Sequence, residues 1–137
     1  MTVATRNMEV GQELPPLRKE ITLDSIRLFS MWANLNIHTD WEVARKAGLP
    51  APIAQGLQSH AYVSEMLTNF FGKNWLQGGK LSLTFINYTM PGDIITVRGT
   101  LKEKIAEGPV LRFNCEVWCE NQAGQKTVVG TASAPVD

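Results

Sequence analysis

Residues 48–71 read GLPAPIAQGLQSHAYVSEMLTNFF, a proline-punctuated lead-in followed by a long, mostly apolar segment of helical period. Apolar residues recur at Ile53, Leu57, Ala61, Leu67 and Phe71, with Ala54, Val63, Met66 and Phe70 beside them, so one broad face can be buried. Gln58, Tyr62, Glu65 and Asn69 form a narrower polar stripe. A helix apolar over so much of its circumference needs more than one neighbour, and the four strand-like segments that follow can wrap it. The expected fold class is α+β, with an antiparallel sheet wrapped around one long central helix.

The start of that helix has the makings of a site. Pro50 and Pro52 hold the lead-in extended, and Gly56 falls where first-turn N–H groups lack intrahelical acceptors and the helix dipole is positive. A glycine there lets a carbonyl oxygen approach those donors, or simply lets the helix pack closely on the sheet. Four-residue steps lead from Gly56 to His60 and Ser64, which puts the three roughly on one face. That face can line a pocket or serve as a small-residue seam.

A chain of 137 residues is one domain, 1–137, long enough to bury a core. Hydrophobic residues at 44% and charged residues at 19% describe a soluble globular chain, and 13 basic against 13 acidic residues leave no net field for nucleic acid. No apolar run approaches the roughly 20 residues of a membrane span, and the first residues resemble no signal peptide, so a cytoplasmic protein is expected. Cys115 and Cys119 lie in a strand-like run, roughly 13 Å apart at about 3.3 Å per residue. They read as buried thiols, neither a bridge nor a metal pair. No nucleotide-binding glycine motif, HExxH, CxxC or GxSxG occurs in the chain, so nothing calls for a metal ion or cofactor.

In chain order, 1–16 is irregular and 17–23 reads as a strand. Asp24 is placed to cap a short helix through Ile26, Leu28 and Phe29. Thr39 and Glu42 have capping-box spacing for a second short helix, 41–47, closed by Gly48. After the central helix, 72–79 reads as a loop carrying Trp75, and from Leu81 the period changes to two. Pro91, Gly92 and Asp93 turn into a strand holding Ile95, Val97 and Leu101. The cleanest alternation is Leu111, Phe113, Cys115, Val117 and Cys119 against polar neighbours, and a last strand runs from Lys126 to about Val136.

His38 stands in the irregular segment WANLNIHTD before the central helix, free to reach a pocket at that helix's N-terminus as a general acid or base, or merely to pack. Asp40, two residues on, can orient the imidazole or cap the short helix. His60 is a second candidate, with a hydrogen-bonded packing role as the plainer reading. Ser64 can bond a substrate or its own i−4 carbonyl, and Glu65 points elsewhere around the helix.

Together VGQELPPLRKEITLDSIRLFS, NIHTD, PIAQGLQSHAYVSEML and FINYTMPGD resemble the MaoC-like dehydratases, which include the (R)-specific enoyl-CoA hydratases and adopt the hotdog fold. The family signature runs approximately G-D-x-N-P-[LIV]-H-x-D, then P-[LIV]-[AV]-H-G and the hotdog helix. Pro52-Ile53-Ala54-Gln55-Gly56 fits its second part, with Gln55 in place of the histidine. The resemblance implies that the Gly56 N–H binds a thioester oxygen, that Ser64 lines the pocket and that His38 is the catalytic histidine. The first part departs: counting back from His38 puts Ala33, or with a one-residue deletion Asn34, where the family's aspartate belongs. His38 would then act with Asp40 as its orienting carboxylate and with Asn34 or Asn36 holding the water. The resemblance implies an enoyl or 3-hydroxyacyl thioester of CoA or acyl carrier protein as substrate. It also implies a homodimer, or a heterodimer with a related hotdog subunit, with the acyl tunnel at the interface. Alternatives on the same fold are a non-catalytic acyl-thioester binder, a partner subunit of a heterodimeric hydratase, and a thioesterase using Glu65.

Overall fold

The computed structural model describes residues 3–31 and 36–137. Its elements run β1 (Leu17–Glu20), α1 (Leu23–Phe29), α2 (Trp41–Lys46), α3 (Gly56–Phe71), α4 (Lys73–Gly78), β2 (Lys80–Phe85), β3 (Ile94–Glu107), β4 (Val110–Glu120) and β5 (Lys126–Val136). The strands form one antiparallel sheet in the order β1-β3-β4-β5-β2, which leaves β1 and β2 as its edges. The β3–β4 turn is the two residues Gly108 and Pro109, with Gly108 at φ 62 as a primed hairpin turn requires.

The apolar face of α3 is sealed against the sheet. Val63, Met66, Leu67, Phe70 and Phe71 of the helix join Ile95, Val97, Leu101, Phe113, Cys115, Val117, Cys119 and Val128 of the strands in a single buried cluster. Inward and outward residues alternate along β4, as its sequence pattern implies. The α+β expectation of one sheet on one long helix is therefore met.

Local boundaries shift for identifiable reasons. Thr22, not Asp24, caps α1: it is extended (φ −114, ψ 158) and shares a reciprocal box with Ser25, leaving Asp24 in the first turn. The Thr39–Glu42 box does not form, because the Thr39 hydroxyl bonds Asn36 Oδ1 (3.2 Å) and Asp40 takes the cap, accepting from Val43 N–H at 2.9 Å. The expected loop over 72–79 is largely the short helix α4; Gly72, at φ 66, ends α3 and begins it. The polar stripe on α3 is broken at its first turn. Gln58 is buried, its Nε2 donating to Tyr62 Oη at 2.9 Å, while Leu57 is left 65% exposed.

Cys115 and Cys119 are both buried free thiols, and burial pushes each pKa up to about 12. A thiol-specific disulfide reagent at pH 8 is expected to leave both unreacted in the folded protein and to titrate two thiols in denaturant. Rapid native labelling would show that the core around β4 is open.

Candidate active site

The geometry of the site begins with Ile53. Its N–H donates to the Ile37 carbonyl (3.0 Å), and its own carbonyl lies 2.8 Å from His38 Nδ1. A carbonyl only accepts, so Nδ1 carries the hydrogen and, in the neutral ring, Nε2 presents the free lone pair. The next residue, Ala54, donates to the Thr89 carbonyl at 2.8 Å. With these peptide groups spent sideways, 53–55 stays extended and α3 starts at Gly56. The N–H groups of Gly56 and Leu57 have no acceptor among the described residues.

His38, residues 53–56, Ser59, residues 85–89 and Val128 enclose a cavity of about 380 Å³. His38 and the opening turn of α3 therefore line one space. Asn36 builds the loop: its Oδ1 accepts from the His38 N–H (2.8 Å) and from the Thr39 hydroxyl. That engagement makes it a shaper of the histidine's backbone rather than a side chain of the cavity. Gln55 lines the cavity and ties it to α1 through Nε2 to Ser30 Oγ at 3.1 Å.

Other candidates lie apart. Asp40 is committed to capping α2, and the partner of the imidazole is the Ile53 carbonyl. Ser64 accepts from Trp75 Nε1 at 3.0 Å and is not among the residues lining the cavity. His60 is exposed and also does not line it. Glu65 pairs with Lys19 at 2.9 Å, on the β1 side of the helix. Asn34 and Ala33 fall outside the described residues. No carboxylate lines the cavity among the described residues, and none of their His, Cys, Asp and Glu side chains form a group able to hold a metal ion.

Sequence reasoning missed Ser59, Thr89 and the wall 85–88. Ser59 lies three residues beyond Gly56, a helical step as informative as the four-residue step that selected His60. The wall comes from the end of β2, brought in by its pairing with β5, where Phe85 opposes Val128. A larger open depression of about 710 Å³ lies over the strands. Of its charged groups, Lys102 pairs with Glu116 at 3.0 Å and Glu103 accepts from the Asn114 amide at 2.9 Å, while Lys80 lines its rim.

Similarity to known proteins identifies the family and the fold. The MaoC like domain model matches residues 6–134, and the chain belongs to that dehydratase family, with its hotdog fold. No curated protein matches the chain by sequence. Among solved structures it is similar to the R-hydratase PhaJ1 from Pseudomonas aeruginosa, 25% identical, covering 95% of this chain and 84% of that one, with TM-score 0.76. The (R)-hydratase from A. caviae involved in PHA biosynthesis is 21% identical, with 97% and 100% coverage and TM-score 0.77. One chain of the ChsH1-ChsH2 complex from Mycobacterium tuberculosis is 18% identical, with 94% and 98% coverage and TM-score 0.77. The last two likenesses speak to the fold.

Two measurements check the site. Nitrogen-15 spectra of histidine-labelled protein above neutral pH are expected to show His38 locked as the Nδ1–H tautomer; an Nε2–H ring would contradict the Ile53 bond. Asp40→Ala is expected to lower stability by about 1 kcal/mol through loss of the cap, with the His38 tautomer unchanged; a changed tautomer would restore Asp40 as its orienting group.

Proposed function

We propose that this protein is a cytoplasmic hydratase/dehydratase acting on an enoyl or 3-hydroxyacyl thioester of CoA or acyl carrier protein. One observation carries the reading: His38, its Nδ1 engaged by the Ile53 carbonyl, and Gly56, whose N–H has no acceptor among the described residues, line the same cavity. Nε2 takes a proton from water as its oxygen attacks the β-carbon, and the Gly56 N–H and helix dipole hold the negative charge on the thioester oxygen. The imidazolium then returns that proton to the α-carbon from the same side. Water is added across the double bond, and the ring ends as it began.

Among the described residues, no carboxylate partners this histidine. Its hydrogen-bonded carbonyl fixes tautomer and direction, but a neutral carbonyl stabilises the imidazolium less than an anion would. That favours a second reading in which the chain is one subunit of a hydratase whose partner supplies the acid or base. The two-chain complex among its structural neighbours gives that reading a precedent in fold. Glu65, held by Lys19 away from the cavity, gives the thioesterase alternative no support.

A second copy, or a related hotdog subunit, is proposed to pair along β2. That strand is a free edge, and Leu57, Ile86 and Tyr88 beside it are 65%, 53% and 43% exposed. Such pairing would extend the sheet about a two-fold axis and cover the cavity mouth.

Purified protein is expected to consume the enoyl thioester absorbance of crotonyl-CoA, and His38→Ala to lower kcat/KM by about 10²–10⁴. Hydration that survives in His38→Ala would refute the assignment, and activity appearing only on adding a second MaoC-like chain would establish the partner reading. Sedimentation at micromolar concentration is expected to give at least a dimer. A strict monomer would contradict the pairing along β2.

A further inference from the structure

Leu81, Leu83 and Phe85 alternate along β2 and so share one face of the strand. Leu81 and Leu83 pack, partly buried, against the core, which identifies that face as the one toward α3. Phe85 ends the row and is 49% exposed. Its ring stands against the first residue of α3: a β-carbon on Gly56 would lie 3.3 Å from Cε1 and 3.4 Å from Cδ1 and Cζ. The ring therefore fills the groove between the start of the helix and the edge strand, and forms part of the wall of the His38 cavity.

The other apolar walls of the cavity are Ile53, Ala54, Ile86 and Tyr88, with Val128 at its base. Val128, below it, is 1% exposed and part of the packed core. Farther along α3, the Ser64 hydroxyl is occupied by the indole of Trp75. A thioester whose carbonyl oxygen sits at the Gly56 N–H lies beside the Phe85 ring, which stands against that residue.

We propose that Phe85 is a specificity-determining residue that restricts this site to short acyl groups, closing an apolar row formed by Leu83 and Leu81 that a longer chain would otherwise follow. The inference rests on the thioester reading of the site. Removing the ring exposes the leucine row to the acyl tail, where each added methylene gains by burial. Because Phe85 is half-exposed at the end of an edge strand, its truncation leaves the core intact.

Butyryl-pantetheine and octanoyl-pantetheine test this directly, since pantetheine is the arm common to CoA and acyl carrier protein and neither saturated chain can be hydrated. The wild-type protein is expected to bind the butyryl compound at least about tenfold more tightly than the octanoyl one, and Phe85→Ala to reduce or reverse that ratio by about tenfold or more. Thermal melting confirms that the variant is folded, and Phe85→Leu is expected to fall between the two. Butyryl binding with no chain-length preference, or with a preference that Phe85→Ala leaves unchanged, overturns the role of Phe85 while the thioester site stands. Failure of the wild-type protein to bind either compound overturns both.

Discussion

The constraint on which the site depends is the double engagement of the Ile53 peptide. Its N–H is held by the Ile37 carbonyl and its carbonyl by the His38 imidazole, while the following N–H of Ala54 is held by Thr89. Three segments distant in sequence are joined through two residues. The same bonds keep those residues out of the helix, so α3 begins at a glycine whose N–H faces no acceptor among the described residues. Position of the imidazole, its tautomer and the start of the helix are thus consequences of one short extended stretch, which Pro50 and Pro52 help to hold.

A histidine oriented by a carbonyl differs physically from one oriented by a carboxylate. Both partners fix which nitrogen is free, but only the anion offsets the positive charge that develops when the ring takes a proton. In the proposed hydration, the charge balance therefore falls more heavily on the oxyanion side, where the amide of Gly56 and the dipole of a 16-residue helix act together.

The central helix and β4 were legible in the sequence because burial imposes a period, and the period survives in Val63, Leu67 and Phe70 and in Phe113, Cys115 and Val117. That His38 stands near the start of α3 was legible from its place in the irregular segment just before that helix. What escaped was decided by competition between neighbouring polar groups. Thr39 spends its hydroxyl on Asn36, so the cap falls to Asp40, and an orienting role for Asp40 gives way to the Ile53 carbonyl, which no side-chain pattern could announce. Ser64 has the helical spacing of a pocket residue, but Trp75, in a segment read as loop, turns inward and takes its hydroxyl. The cavity wall at 85–88 depends on strand register, a long-range property set by the pairing of β2 with β5.

The central claim, that the amide opening α3 polarises a thioester held beside His38, is tested most directly by isotope-edited infrared spectroscopy of butyryl-pantetheine labelled with carbon-13 at the thioester carbonyl. The account predicts a shift of the carbonyl stretch to lower frequency on binding, as a hydrogen bond to the Gly56 N–H lengthens the bond. A bound carbonyl absorbing at its solution frequency or higher would contradict it.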